Sequence, residues 1–169
     1  MPDICDLILD DHHTFRRRFA ELDELRAAGA APERLAPLWE PLSELLEVHA
    51  AAEEELFYPR LLKKGDNADE ETEDAISDHN EIRDAVRRAR GAEVGTDDWW
   101  KAVLDARHAN SDHMAEEERE GVADFRVNAE PEVRDDLGGR WLSYKDRHAG
   151  GRDVDVTDKD PDAYIASHE

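Results

Sequence analysis

Apolar residues recur at intervals of three and four along most of this chain, which is the pattern of amphipathic α-helices. Long runs of Val, Ile and Thr, which are typical of strands, are missing, so the pattern predicts an all-α fold. Short segments that contain Gly, Pro or small residues separate four long helices. The first predicted helix covers residues 3–28. The second starts between residues 35 and 41 and continues to residue 64. The third covers residues 68–90 and the fourth covers residues 97–128.

Local signals set the predicted helix ends. Pro37 and Pro41 fit a helix start better than a helix interior, because proline has no N–H to donate. Gly91 follows the third helix as a C-terminal cap, and Thr96 precedes the fourth as an N-cap. Short connections make consecutive helices antiparallel, so we predict an up-down-up-down four-helix bundle.

The sequence after residue 128 predicts two further parts. Pro131 opens a shorter fifth helix. The last 20 residues are polar and acidic and show no periodic pattern, so we expect an extended tail that packs in part through Tyr164. The predicted division of the chain is a bundle at 1–128, an additional C-terminal helix at 129–149 and an acidic tail at 150–169.

Charge narrows the range of partners. The chain has 44 acidic and 22 basic residues, which give a net charge of −22. Nucleic acids and anionic lipids bind clustered Lys and Arg, so we expect no nucleic-acid and no membrane partner. The N-terminus lacks the basic start and apolar run of a signal peptide, and we expect a cytoplasmic protein. Cys5 has no second cysteine to pair with and lies in an apolar stretch, so we expect it in the core.

Each of the four long helices places one histidine on its apolar face, and two of them add a glutamate one turn later. The inward-facing residues are His12, His49, Glu53, His79, His113 and Glu117. Burial of two carboxylates without a cation is costly, and a metal ion between them removes this cost. A single histidine on an apolar face is usually an ordinary core residue, but four of them with two glutamates indicate a metal site.

The distances of these residues from the turns place them at one level of the bundle. His12 precedes the first turn by about 17 residues, and His49 follows it by a similar number. His79 and His113 lie at similar distances from the third turn. A histidine and a glutamate four residues apart share a helix face and can reach the same pair of ions. Imidazole and carboxylate ligands suit iron, and another divalent metal such as zinc stays possible.

The segments around these residues resemble the hemerythrin and HHE cation-binding family. They follow the order of that family's four helix motifs: DHHTFRRRF at Asp11, HAAAEEELFYP at His49, DHNEIRDAV around His79 and HMAEEERE at His113. The resemblance covers about residues 3–127 and implies two iron ions bridged by Glu53 and Glu117. It also implies that His12 and His49 bind one iron, that His79 and His113 bind the other, and that dioxygen, nitric oxide, peroxide or azide occupies a vacant position.

One position departs from the oxygen-carrying members of that family. Arg83 stands where they have a second histidine, one turn after the third-helix ligand. One iron then has a ligand fewer, which favours redox chemistry or sensing over reversible oxygen carriage. We interpret Arg83 as a surface residue, with the steering of an anionic ligand as the alternative. His108 faces nearly opposite Glu117 and is not expected to bind metal, and Tyr58 is expected at a helix–helix edge.

Three functions stay open from the sequence. The first is a non-haem diiron protein that binds or reacts with dioxygen, nitric oxide or peroxide. The second is an iron-sensing or oxygen-sensing module that reports to a protein partner, whose identity the sequence does not give. The third is a bundle held together by a structural metal such as zinc.

Overall fold

The computed structural model describes residues 2–168, and these residues form a helical bundle without strands. No helix in this range is long and apolar enough to cross a membrane. The all-α prediction is confirmed. The elements in chain order are α1 (Ile4–Ala27), α2 (Pro32–Ala52), a π-helical turn (Glu53–Phe57), α3 (Tyr58–Lys64), α4 (Ala68–Arg90), α5 (Asp97–Arg119), α6 (Gly121–Asn128), α7 (Pro131–Arg147), a 3₁₀ turn (Ala149–Gly151) and α8 (Pro161–His168).

Helix caps lie where the sequence predicts them. The Thr96 side chain accepts a hydrogen bond from the backbone N–H of Trp99 and starts α5. Helix α4 spans Ala68–Arg90 and is followed by Gly91. At the start of α1, the Asp3 carboxylate accepts from the N–H of Cys5 at 2.8 Å, and Cys5 itself is buried in the core as expected.

The predicted start of α2 was wrong. The helix begins at Pro32, and both Pro37 and Pro41 lie inside it. Both prolines are exposed, whereas Leu35 and Trp39 of the same helix are buried. A proline on the solvent side of a helix loses one hydrogen bond where water can replace it. Burial of the two large apolar side chains outweighs that loss.

A π-helical turn interrupts the second long helix within the segment that carries Glu53. The N–H of Tyr58 bonds to the carbonyl of Glu53, five residues earlier. The next residue, Pro59, has no N–H, so the carbonyl of Glu54 has no backbone donor at this spacing. The wider turn buries the consecutive side chains of Glu53 and Glu54, and it also turns Tyr58 inward.

The part of the chain after α6 is more ordered than the sequence indicates. The extended-tail prediction was wrong for Pro161–His168, which forms α8 and buries the Tyr164 ring. Helix α7 packs on α1 and α2. Its Gly138 is required by this packing, because a Cβ there would lie 1.7 Å from the carbonyl oxygen of Pro2.

The hydrophobic core consists of two clusters with a polar layer between them. One cluster contains Ile4 and Ile8 of α1, and the other contains Phe15 and Phe19 of the same helix. His12 lies between these two sets in sequence, and His79 separates the two clusters along α4 in the same way. The polar layer consists of His12, His49, Glu53, His79, His113 and Glu117.

Candidate metal centre

All six residues that the sequence predicts as ligands are buried, with between 0% and 5% of each residue exposed. Helix α1 contributes one of them, α2 and its π turn contribute two, α4 contributes one and α5 contributes two. Four helices therefore converge on one polar layer. Their nitrogen and carboxylate oxygen atoms form two overlapping groups that could each hold a metal ion.

The first group joins His12, His49, Glu53 and Glu117, whose donor atoms all lie within 4.8 Å of one another. His12 Nε2 lies 3.2 Å from Glu117 Oε2. His49 Nε2 lies 2.8 Å from Glu53 Oε1, across one helical turn. Each histidine thus directs its Nε2 toward a carboxylate that is also buried.

The second group joins Glu53, His79 and His113. His79 Nε2 lies 3.1 Å from Glu53 Oε2 and 3.3 Å from His113 Nε2. His113 Nε2 also lies 3.7 Å from Glu117 Oε2. Glu53 belongs to both groups, since one of its oxygens contacts His49 and the other contacts His79.

The donor atoms of this layer fit a cation. Nine buried atoms of the described residues lack a hydrogen bond of acceptable geometry, and four of them come from the four members of the first group: His12 Nε2, His49 Nε2, Glu53 Oε1 and Glu117 Oε2. Buried polar atoms normally have a partner, because desolvation without one costs about 1–3 kcal/mol. A metal ion coordinated by the four atoms would satisfy all of them.

Each histidine of the layer has a further carboxylate at its other ring nitrogen. We call these four residues the outer carboxylates: Glu118 at His12, Asp11 at His49, Glu54 at His79 and Asp78 at His113. The Nδ1-to-oxygen distances are 2.9, 3.0, 2.8 and 3.4 Å in that order. A carboxylate that accepts from Nδ1 keeps the proton there and leaves Nε2 for a metal ion, which is the usual arrangement of metal-binding histidines.

The outer carboxylates are directly adjacent to predicted ligands in the sequence but serve histidines on other helices. Asp11 precedes His12, yet it contacts His49. Glu54 follows Glu53 and contacts His79. None of the four is predicted as a site residue by the pattern of the sequence. The acid next to each ligand was the available signal, but the sequence does not show which histidine it contacts.

The charges of the layer shift several pKa values. Burial alone would lower the pKa of His49, but the Glu53 and Asp11 carboxylates raise it to about 9. Burial would likewise raise the pKa of Glu54, but His79, Arg83 and Lys159 lower it to about 2. The raised pKa of His49 means that its imidazole holds a proton at neutral pH when no metal ion is bound.

Two neighbouring residues lie in places that the sequence did not predict. Arg83 is buried, and its guanidinium donates to Glu54 Oε1 at 2.5 Å, so the surface interpretation was wrong. Tyr58 is also buried, and its hydroxyl donates to Glu117 Oε1 at 2.5 Å. The prediction assumed a regular helix of 100° per residue, and the π turn before Tyr58 breaks that assumption. His108 is exposed and lies outside both groups.

A small cavity of about 20 Å³ reaches the polar layer between α4 and α5. Tyr58, His113 and Glu117 contribute to its wall. The wall also contains the acids Glu71, Asp74, Asp78, Glu116 and Glu120. This volume holds about one water-sized molecule.

Comparison with known proteins gives one match. A sequence model of the hemerythrin HHE cation binding domain matches residues 3–122, which is well over half of the chain and includes all six residues of the polar layer. No significant match was found among the curated proteins or among the solved structures.

Proposed function

The chain belongs to the hemerythrin HHE cation-binding family, and we propose that it is a non-haem diiron protein that binds or reacts with dioxygen, nitric oxide or peroxide. The observation that carries the proposal is the convergence of buried imidazole and carboxylate atoms in two overlapping groups, four of whose atoms lack a hydrogen bond of acceptable geometry among the described residues. The proposal includes an up-down-up-down order of the four long helices, which agrees with the packing of α4 along α5 and of α1 against α2.

The two overlapping groups support two ion positions. His12 and His49 would hold one ion, and His79 and His113 would hold the other. Glu53 would bridge them, since its two oxygens contact His49 and His79. Glu117 is the second proposed bridge, and its Oε2 lies 3.2 Å from His12 Nε2 and 3.7 Å from His113 Nε2.

Iron fits the donor set of neutral imidazole and carboxylate, although other divalent metals share this preference. Bound iron would supply electron transfer and an open coordination position for a small ligand. The protein would keep the histidines in the correct tautomer through the outer carboxylates and would exclude bulk water by burying the layer.

The cavity beside His113 and Glu117 supports a very small exogenous ligand. Its volume of about 20 Å³ holds about one water-sized molecule, so it favours ligands as small as a diatomic molecule or peroxide over ordinary metabolites. Tyr58 lines the same cavity and can donate a hydrogen bond from its hydroxyl.

The decisive experiment is metal analysis of protein from iron-supplemented cells, combined with absorption spectra before and after addition of azide. We expect about two irons per chain, following the two groups, and near-ultraviolet bands that shift with azide. One zinc per chain without such bands would refute the diiron proposal and favour a structural metal. Peroxide consumption and nitric oxide consumption by the iron form should exceed those of a Glu53→Ala variant, and equal rates would refute the proposed reactivity.

An iron-sensing or oxygen-sensing role is the second candidate. The observation that favours it is the contact of the C-terminal segment with Glu54, the carboxylate that holds His79. If metal state is reported through this segment, limited proteolysis should cut residues 150–168 at different rates in metal-free and iron-loaded protein. Identical cleavage would exclude this route of signalling.

A further inference from the structure

Two lysines from the end of the chain contact the outer carboxylates. The match to the family ends at residue 122. The part of the chain from 131 to 168, which we call the C-terminal extension, contains α7 and α8. Lys145 and Lys159 of this extension pair with Asp11 and Glu54, respectively. Residues outside the matched region therefore contact two of the carboxylates that support the histidines of the polar layer.

Lys145 acts on the side of the first group. Helix α7 lies against α1 and α2, and the Lys145 ammonium pairs with Asp11 Oδ1. The other oxygen of Asp11 lies 3.0 Å from His49 Nδ1. One turn earlier in α7, the Trp141 ring packs edge-on against the His49 imidazole, with 5.4 Å between the ring centroids. Two residues of α7 thus restrict the same histidine.

Lys159 acts on the side of the second group. Its ammonium lies 2.7 Å from Glu54 Oε2, while Glu54 Oε1 lies 2.8 Å from His79 Nδ1. The Asn80 side chain fixes the backbone of Lys159, because it donates to the carbonyl at 2.7 Å and accepts from the N–H at 3.0 Å. The Lys159 ammonium is therefore held next to Glu54 by the residue that follows His79.

The π turn provides a further attachment for the extension. The carbonyl of Glu54 has no backbone donor at the π spacing, because Pro59 has no N–H. The Tyr164 hydroxyl of α8 donates to this carbonyl. The extension thus contacts both the backbone and the carboxylate of Glu54. A buried carbonyl normally needs such a donor, so the irregular helix and α8 depend on each other.

We propose that Lys145 and Lys159 are positioning residues, through which the C-terminal extension fixes one histidine at each ion position and slows the loss of bound metal. The proposal rests on the proposed metal binding. A carboxylate with one oxygen in an ion pair cannot rotate away from the imidazole that its other oxygen accepts from. The imidazole keeps its orientation, and release of the ion requires that this arrangement opens.

The direction in which the rate of metal release changes distinguishes a positioning role of the lysines from a purely electrostatic one. An ammonium group near a bound cation repels it, so lysines that acted only as charges would speed metal release. Removal of such a lysine would then slow release. Removal of a positioning lysine has the opposite effect, because the histidine gains freedom to leave the ion.

The test uses Lys145→Met, Lys159→Met and the double variant, loaded with Co²⁺ as the probe. Methionine keeps most of the apolar stem, and both lysine side chains are partly exposed, at 26% and 22%, so the fold should tolerate the changes. Release of Co²⁺ into excess chelator is followed by visible absorption. We expect roughly tenfold faster release in each single variant, the lower end of the effect of losing a partner of a metal ligand. Arginine at either position should restore slow release.

A matched control is Lys64→Met. Lys64 pairs with Glu130 at 3.0 Å on the surface, away from the outer carboxylates. This variant should release Co²⁺ at the wild-type rate. Unchanged or slower release in both Lys145→Met and Lys159→Met would overturn the positioning role. Failure of the wild-type protein to bind Co²⁺ would overturn the proposed metal site as well, so the two failures are distinct.

Proton NMR spectra of the Co²⁺ protein test the proposal at each histidine separately. In the Co²⁺ protein, the ring N–H protons of metal-bound histidines give strongly shifted proton resonances. Lys145→Met should move the resonance of His49, and Lys159→Met should move that of His79. General loosening of the fold would move all such signals together in both variants, and that result would contradict the specific role.

Discussion

Glu53 has a central position at the level of single residues. It is fully buried, and its two oxygens contact histidines of both groups. A Glu53→Ala variant removes a donor from each ion position at once. We therefore expect bound iron to fall from about two per chain to fewer than one, because both groups lose their shared member.

Metal analysis after gel filtration measures this loss. The control is Glu55→Ala, since Glu55 lies two residues away on the exposed face of the same turn. It should retain the wild-type metal content. Retention of two irons by Glu53→Ala would show that Glu53 is not a shared ligand.

Glu71 provides a pH-dependent test near the cavity. Burial and the neighbouring acids Asp124 and Glu120 raise the pKa of Glu71 to about 7. A carboxyl with a raised folded pKa stabilises the fold at low pH, where it is protonated, and this contribution is lost as the pH rises through 7. Glutamine imitates the protonated form. Glu71→Gln should therefore melt at a higher temperature than the wild type at pH 8.

The difference in melting temperature should shrink as the pH is lowered toward about 5, where the wild-type residue is itself protonated in the folded state. Glu73→Gln is the matched control, because Glu73 lies on the exposed face of the same helix. A stabilisation of equal size at both pH values would mean that Glu71 acts through packing and not through its charge.

The inward-facing residues could be predicted because each depends only on its own helix. Helical periodicity placed His12 and His79 on apolar faces, and the structure buries both. The partners of these residues could not be predicted in the same way. Whether Asp78 contacts His79 or His113 depends on how α4 and α5 are rotated against each other, and one helix carries no information about that rotation.

The π-helical turn is the main feature that the sequence did not reveal at the level of elements. Its residues are ordinary helix formers, and hydrophobic periodicity alone predicts a regular helix through them. Pro59 is the local hint, since it removes one N–H just after the turn. The consequence lies in the candidate metal centre, because the wider turn brings Glu54 to His79 and Tyr58 to Glu117.

Deletion of Glu55 tests the role of this turn. Removal of one residue should convert the π turn into regular α-helix. The only side chain lost is that of Glu55, which is exposed. We expect the variant to fold with similar helix content, measured by circular dichroism. We also expect roughly tenfold weaker metal binding, because Glu54 would no longer support His79. Wild-type metal affinity in the deletion variant would show that the π turn does not serve the site.

At the scale of the molecule, the bundle itself could be predicted from periodicity, whereas the placement of the C-terminal extension could not. The contacts of the extension are long-range, such as Lys145 with Asp11 and Tyr164 with Glu54. No local pattern encodes them. The close approach of Gly138 to Pro2, which its lack of a side chain permits, is a further long-range contact of this kind.

Metal ions should stabilise the whole molecule, because the polar layer joins the two hydrophobic clusters. An ion that binds only the folded state adds about 2.7 kcal/mol when its free concentration is 100 times its dissociation constant. Each further tenfold increase in the free ion concentration adds about 1.4 kcal/mol per ion to the free energy of unfolding. Two ions should therefore add about 2.8 kcal/mol for each tenfold increase in free ion concentration. Urea unfolding under anaerobic conditions at several free Fe²⁺ concentrations measures this slope.

The net charge of −22 makes a control necessary, since any divalent cation screens the repulsion among so many acids. Mg²⁺ screens in the same way but prefers oxygen ligands and retains its water, so the histidine-rich layer should not hold it. Fe²⁺ should therefore stabilise the protein far more than Mg²⁺ at equal concentration, and a His113→Ala variant should lose much of that difference. Equal stabilisation by the two cations would mean that metal acts on the acidic surface and that the buried layer is a network of imidazoles and carboxylates without an ion.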